Sequence, residues 1–172
     1  MNAMASIQSE LSIDSLVEIL GDPIIEVRTA AAYALGQIGN LETVDPLMNA
    51  FVNKDTSDVD NVFNSTILEA IGKTGNKSLL DVLASVESYR ITDTLLLLGQ
   101  SRAIYRYANR GINTQKGTNR MVELASNQAY PNEVRVIAAN YLARAKDIDI
   151  SKSQFRIAEA LIGASDPNVR MA

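Results

Sequence analysis

The stretch DPIIEVRTAAAYALGQIG, from Asp22 to Gly39, contains the signals that decide the fold. Asp followed by Pro is typical of a helix N-terminus, where the carboxylate accepts from free backbone N–H groups and Pro loses no hydrogen bond. The alanines in the middle of the stretch allow a neighbouring helix to approach closely. Gly36 either allows the same approach or loosens the last turn, and Gly39 is the predicted left-handed cap. The stretch therefore predicts one helix that packs closely against another.

The same features recur along the chain with a period of about 36 residues. ALGQIG ends at Gly39, AIGKTG ends at Gly75, and a further step of 36 residues leads to Gly111 in YANRG. Val-Arg pairs give the same period independently, since they begin at residues 27, 134 and 169. Two different markers with one period indicate a repeat protein.

Each period is predicted to contain two helices, because the apolar residues recur at helical spacing and strand-like alternation is absent. The predicted first helices are IDSLVEIL, VDPLMNAFV, SLLDVLASV, TNRMVELASN and KSQFRIAEALIGA. The predicted second helices are PIIEVRTAAAYALGQI, VDNVFNSTILEAIGKT, TDTLLLLGQSRAIYRYANR and PNEVRVIAANYLARA. The sequence thus predicts an all-α protein.

At these positions the sequence resembles the short HEAT repeats of the phycobilisome-lyase-like kind. The matching features are Asp22-Pro23, Val27-Arg28, the alanine run and the final glycine. They are strong in the first repeat and fair in the second and fourth, whereas the third has GQSRA in place of Val-Arg. The resemblance implies a right-handed α-solenoid of about four to five two-helix HEAT-like repeats over residues 14–172.

A second resemblance is to the HEAT region of cyclophilin-type peptidyl-prolyl isomerases of some Bacteroidetes. It is carried by ILEAIGKTGN and AIYRYANRGI. It implies a helical region beside a catalytic domain. The 172 residues contain no cyclophilin motif, so no catalytic residue is transferred to this chain.

The composition excludes several kinds of chemistry. The chain has neither Cys nor His, which removes disulfides, the usual zinc and haem ligands, and catalysis by a thiolate or an imidazole. The net charge of -4 argues against nucleic acid as the main partner. No apolar run approaches the ~18 residues that cross a bilayer. We expect no catalytic residue, no metal, no cofactor and no membrane insertion, in a soluble protein of the cytoplasm or periplasm.

Both ends of the sequence carry expectations of their own. The opening MNAM is typical of cloning-derived residues, and residues 1–13 are interpreted as a leader. The closing SDPNVRMA begins a second helix and stops within about two turns. Because terminal repeats need a polar cap, we expect residues 14–172 to be an excised part of a longer array. Such a fragment is expected to be a monomer or to dimerise artificially through its exposed end.

The charges are divided unevenly along the chain. Residues 1–86 contain twelve acidic and four basic side chains, whereas residues 87–172 contain eight acidic and twelve basic ones. Within the basic half, Arg102, Arg106 and Arg110 are four residues apart and are predicted to line one helical face. The resemblance places second helices on the concave surface. Guanidinium groups bind carboxylates well, so this face is a predicted site for an acidic protein segment.

The predicted site also includes two neighbours of these arginines. The candidate partner-binding residues are Arg102, Tyr105, Arg106, Asn109 and Arg110. The alternative interpretation is a set of structural salt bridges. Its expected acceptors are Asp58, Asp60 and Glu69 on the preceding second helix, or Glu123.

Three further sets of residues are interpreted structurally. Arg28, Arg135 and Arg170 recur at one repeat position and are predicted to serve the interfaces between repeats. Their expected partners are acidic groups near helix starts, such as Asp22 and Asp166. The acidic pairs are predicted to cap helices rather than to catalyse; they are Asp58 with Asp60 and Asp147 with Asp149. Tyr107 is predicted to belong to the core.

The sequence therefore predicts a non-catalytic helical-repeat scaffold that binds a protein or peptide on its concave face. The alternative function is the HEAT region of a larger enzyme, a cyclophilin-type isomerase, whose catalytic domain lies outside this chain. A third hypothesis, base or chromophore handling as in lyase-like and glycosylase-like helical repeats, is disfavoured by the low aromatic content of 5% and by the net acidity.

Overall fold

The structure is a computed structural model that describes residues 13–52, 60–87, 90–91 and 93–171. Its helices are α1 (Ile13–Ile19), α2 (Ile25–Ile38), α3 (Val44–Ala50), α4 (Asn61–Thr74), α5 (Lys77–Ala84), α6 (Thr94–Asn109), α7 (Gln115–Ser126), α8 (Asn132–Arg144), α9 (Gln154–Ile162) and α10 (Pro167–Met171). A 3-10 turn, Leu41–Thr43, precedes α3. These described residues contain no strand, and the all-α prediction is confirmed. The predicted leader lies almost wholly outside them.

The helices form five consecutive pairs arranged in two layers. Within a pair, the first helix packs against the second, as α1 does on α2 and α7 does on α8. Each second helix also packs against the next second helix, so α2, α4, α6, α8 and α10 form one row. The first helices α5, α7 and α9 contact one another on the other side. This arrangement is the predicted α-solenoid.

Local signals in the sequence set the ends of several helices. The side chains of Asn76 and Thr114 cap α5 and α7 by accepting from backbone N–H groups three residues ahead, at 3.3 and 3.0 Å. Asp22 accepts from the backbone N–H of Ile24 at 2.8 Å, so it closes the turn before α2 rather than the helix itself. Gly39 ends α2 with a φ of 77°, as predicted for a left-handed cap.

Small residues bring the second helices close together. A Cβ added to Gly36 on α2 would lie 2.6 Å from the Cβ of Ala70 on α4. A Cβ added to Gly72 on α4 would lie 2.6 Å from the Cα of Ala103 on α6. Gly36 therefore allows close packing, which decides between its two predicted roles. Because the second helices approach so closely, we expect their side of the two layers to be the concave one.

We call the three arginines at the repeated position the register arginines. Arg28 and Arg135 connect successive repeats, whereas the described contact of Arg170 lies within its own repeat. Arg28 on α2 forms an ion pair with Asp60, which precedes α4, at 2.8 Å and lies 4.9 Å from the centre of the Phe63 ring. Arg170 donates to the backbone carbonyl of Ala164 at 2.8 Å.

Arg135 is the most deeply buried of the register arginines. Its Nε and Nη2 atoms donate to the carbonyl oxygens of Ala125 and Ala160, at 3.3 and 3.2 Å, in the last turns of α7 and α9. Burial lowers the pKa of Arg135, and the negative charge of Asp166 opposes this change. The guanidinium thus joins two successive first helices at their C-terminal ends.

The register arginines were predicted to pair with acidic groups near helix starts, such as Asp22 and Asp166. Asp60, at the N-cap of α4, is such a group and pairs with Arg28. Asp166 acts on Arg135 through its charge, but neither Asp166 nor Asp22 forms a described hydrogen bond to these arginines. Both carboxylates instead accept from a backbone N–H two residues ahead, each at 2.8 Å. The acidic pairs also differ from the capping prediction. Asp60 lies at the N-cap of α4, yet its side chain caps no backbone group and binds Arg28, whereas Asp149 accepts from the backbone of Ser151 in a loop. Asp58 lies outside the described residues.

Candidate functional site

The outward side of the row of second helices carries the predicted site. We call this surface the second-helix face; its central residues are Tyr33 and Gln37 on α2, Thr66, Glu69 and Lys73 on α4, Arg102, Tyr105, Arg106 and Asn109 on α6, and Arg144 on α8. Several of them occupy equivalent places in the repeat. Tyr33, Glu69 and Tyr105 follow one another at intervals of 36 residues. The repeat therefore aligns these side chains from three helices on one surface.

Glu69 is bound by two arginines of the next second helix. Its two carboxylate oxygens accept from Arg102 Nη1 and Arg106 Nη2, each at 2.9 Å. The arginine side chains remain 48% and 40% exposed, whereas that of Glu69 is 22% exposed. The alternative prediction of a salt bridge to Glu69 is thus correct. However, one carboxylate balances only one of the two positive charges.

The other acidic residues predicted as partners for these arginines bind elsewhere. Asp60 pairs with Arg28, as described above. Glu123 accepts from Arg120 at 2.8 Å and from the Tyr130 hydroxyl at 2.7 Å. Burial raises the pKa of Glu123, but these two hydrogen bonds outweigh burial and leave the pKa below its ordinary value. Glu123 is therefore committed to a separate network around α7.

Both arginines that bind Glu69 keep further N–H donors. A guanidinium has five N–H groups, and the described contacts to Glu69 use one from each side chain. The Nε of Arg106 is buried and has no hydrogen-bond partner. Glu69 therefore holds the two guanidinium groups in place without exhausting their capacity to bind a second carboxylate.

Lys73 adds a third positive charge beside this pair. Its ammonium lies 5.2 Å from the centre of the Tyr33 ring, and together with Arg106 it lines the space between α2 and α6. Partial burial lowers the pKa of Lys73, the positive charge of Arg106 lowers it further, and the negative charge of Glu69 raises it. Burial and Arg106 together outweigh Glu69, so the pKa of Lys73 lies below its ordinary value.

A cation from one second helix meets a tyrosine of the preceding second helix at two places. Lys73 lies over Tyr33, and the Nη1 of Arg144 lies 3.4 Å from the hydroxyl of Tyr105. Tyr33 and Tyr105 are 72 residues apart, which is two periods, and Lys73 and Arg144 are 71 residues apart. The sequence prediction included Tyr105 but missed the other three, although the period of 36 residues places them in register.

Arg110 is separated from the other two predicted arginines. Its Nη1 donates to the carbonyl of Gly72 near the end of α4 at 3.3 Å, and its guanidinium lies 5.3 Å from the centre of the Tyr107 ring. Tyr107 is fully buried, as predicted, and burial raises its pKa to about 12. Asn109 is exposed on the face. Arg110 therefore packs at a helix end, outside the group around Glu69.

Two adjoining depressions lie between α2 and α4. The first, of about 440 Å³, is polar and charged; it is lined by Tyr33, Gln37, Thr66, Glu69, Ala70, Lys73 and Arg106. The second, of about 570 Å³, is mainly apolar; it is lined by Ile25, Glu26, Thr29, Ala30, Tyr33, Val62 and Thr66. Tyr33 and Thr66 line both.

The groups on this surface are those that bind anions in proteins. Among the described residues, no group of three or more acidic side chains is placed to hold a metal ion. The carboxylate of Glu69 is held in ion pairs rather than facing a general-base partner. Arginine and lysine around an open depression are suited to carboxylate groups of a ligand.

Residues 1–65 match the family model of HEAT repeats. This match confirms the predicted resemblance to HEAT repeats for a segment that includes α1, α2 and α3. HEAT repeats generally serve as protein-interaction scaffolds and are typically non-catalytic. No curated protein matches the chain.

The resemblance to the helical region of cyclophilin-type isomerases stays a prediction. In the part of the chain that the structure describes, no helix has the length and hydropathy needed to cross a bilayer.

Proposed function

We propose that this HEAT-repeat chain is a non-catalytic scaffold whose second-helix face binds an acidic segment of a partner protein. The observation that carries the proposal is a surplus of positive charge. Lys73, Arg102, Arg106 and Arg144, which we call the cationic strip, cross α4, α6 and α8. Among the described residues, Glu69 is the carboxylate that forms ion pairs with members of the strip, and it pairs with Arg102 and Arg106.

The pairing with Glu69 supports this function rather than opposing it. Two free arginine side chains would lose conformational entropy when a ligand bound them. Here each guanidinium is already held at 2.9 Å from the same carboxylate, so less of that freedom remains to be lost. Exposed ion pairs contribute little to stability, which means that their donors can be shared with a ligand at low cost.

The charge distribution favours a short acidic segment over an extended polyanion. Residues 1–86 contain twelve acidic side chains against four basic ones. A nucleic acid that followed the row of helices toward α1 and α3 would meet this excess of negative charge, whereas a short peptide would contact the cationic strip alone. The proposed partner is therefore a protein segment rich in Asp and Glu.

Capture from a lysate of the source cell tests the proposal. The double variant Arg102→Gln/Arg106→Gln removes two charges from the strip. The matched control Lys116→Gln/Lys152→Gln removes two charges from exposed positions outside the face, on and after α7. We expect wild type and control to capture the same protein and the arginine variant to lose it. Equal capture by wild type, control and arginine variant would contradict the proposed site. Binding of DNA at low salt that is as strong as the capture of the protein would also contradict it.

A further inference from the structure

We propose that the acidic segment also inserts an apolar side chain into the second depression, beside the cationic strip. This inference rests on the proposed function and specifies its ligand. The ligand would be a peptide with an apolar residue, Leu or Phe, a few positions away from a cluster of carboxylates. The carboxylates would bind Lys73 and Arg106, while the apolar side chain would pack against Tyr33 and Val62.

The second depression exposes apolar surface that the fold leaves uncovered. Val62 is 51% exposed and Tyr33 is 49% exposed, although both lie on helices whose other sides are buried in the core. Ile25 and Ala30 complete the apolar lining. The space of about 570 Å³ is large enough to accept a Leu or Phe side chain. Grouped exposed apolar side chains of this kind mark binding surfaces more often than scattered ones do.

The two depressions are coupled through one tyrosine. The ring of Tyr33 lines both of them, and Lys73 holds the ring from the charged side at 5.2 Å. A ligand that bridges them therefore packs on one side of this ring and places its carboxylates on the other. Because an extended residue spans about 3.3 Å, adjoining depressions require the two kinds of side chain to be only a few residues apart.

Glu26 gives the ligand a direction. This side chain lines the apolar depression on the side away from the cationic strip, since it lies in the first turn of α2. A ligand carboxylate beside it would be repelled, whereas one near Lys73 or Arg106 would be attracted. The ligand is therefore expected to be acidic on one side of its apolar residue and uncharged on the other.

Two fluorescent synthetic peptides of equal length and equal negative charge test this inference by anisotropy. One carries a Leu-Phe pair beside its Asp cluster, and the other carries Ser-Ser in its place. Burial of the apolar pair predicts about tenfold tighter binding of the first peptide to the wild-type chain. Val62→Ser, which changes a residue that lines the apolar depression alone, is expected to reduce this preference while keeping the affinity for the Ser-Ser peptide.

Matched variants separate the two proposals. Val82→Ser/Ile162→Ser removes two exposed apolar side chains from first helices and is expected to keep the preference. If wild type bound both peptides equally and Arg102→Gln/Arg106→Gln weakened both, the apolar site would be refuted and the acidic site would stand. A preference that stayed unchanged in Val62→Ser would refute its location. Failure of both peptides to bind wild type would refute both proposals.

Discussion

The register arginines and the arginines of the second-helix face are the same side chain in two different environments. Arg135, in the first set, is 3% exposed and donates to the carbonyl oxygens of Ala125 and Ala160. Arg102 and Arg106, in the second set, are about half exposed and share the carboxylate of Glu69. Arg135 is enclosed where two repeats meet, whereas Arg102 and Arg106 connect two repeats through Glu69 and keep their charge accessible to solvent.

The difference follows from how each set recurs in the sequence. A residue that recurs with the repeat occupies an equivalent place in each helix pair. At Arg135 this place lies beside the last turn of a first helix, where carbonyl groups lack intrahelical partners. Arg170 does the same when it donates to Ala164. Residues that recur with the helical turn, as Arg102 and Arg106 do, instead share the side of a single helix. Spacing therefore separates Arg135 from Arg102 and Arg106, although Arg110 shares the helical spacing and packs at a helix end.

The largest expected effect is on stability, from Arg135→Met. The substitution keeps most of the buried chain length but removes the donors to two carbonyl groups, one in α7 and one in α9. Leaving such buried acceptors unpaired is expected to lower the free energy of unfolding by about 3 kcal/mol. Urea denaturation followed by circular dichroism measures this loss.

Arg144→Met is the matched control for Arg135→Met. Arg144 is exposed, and its hydrogen bond to the Tyr105 hydroxyl is long, at 3.4 Å. Its replacement is expected to change the free energy of unfolding by less than about 0.5 kcal/mol. Similar losses in the two variants would mean that exposure does not separate the two sets of arginines.

Much of the fold could be predicted because its signals are local or periodic. Gly39 ends α2 with the left-handed φ that the sequence indicated, and each predicted helix is found within a few residues of its expected bounds. The start of α2 was predicted at Pro23 but lies at Ile25, since Asp22 closes a turn first. Helix starts depend on such turns, which the apolar spacing does not reveal.

The site was predicted less completely because its contacts cross between helices. The pairing of Arg106 with Glu69 spans 37 residues and depends on the stagger of α4 against α6. Sequence spacing gives each residue its place on its own helix but not this stagger. Arg110 illustrates this. Each step of four residues from Arg102 turns about 40° farther around the helix. Two such steps reach Arg110, which lies just past the end of α6 and binds Gly72. Lys73 was missed although the period of 36 residues places it in register with Asn109.

A smaller effect on stability is expected when the arginines of the face are replaced. In Arg102→Gln/Arg106→Gln, Glu69 loses both ion pairs but is partly exposed and can be hydrated. We therefore expect the free energy of unfolding to fall by no more than about 1 kcal/mol. The same urea titration measures it, with Lys116→Gln/Lys152→Gln as the control for lost charge. A fall as large as that of Arg135→Met would show that these ion pairs are structural.

The smallest effect expected is a change in the pKa of Lys73. The sign of the change distinguishes the effect of Arg106 from that of Glu69. Arg106 lowers this pKa and Glu69 raises it, so Arg106→Gln is expected to raise the pKa and Glu69→Gln to lower it further. Titration of the ¹³C-labelled lysine Cε resonance measures both shifts, and Arg156→Gln on α9 is the control that should leave it unchanged. Shifts of the same sign in the two variants would mean that Lys73 does not share the field of the Glu69 ion pairs. If the signs are opposite, an acidic peptide should act as a second Glu69 does and raise the pKa of Lys73, which gives a direct readout of where its carboxylates bind.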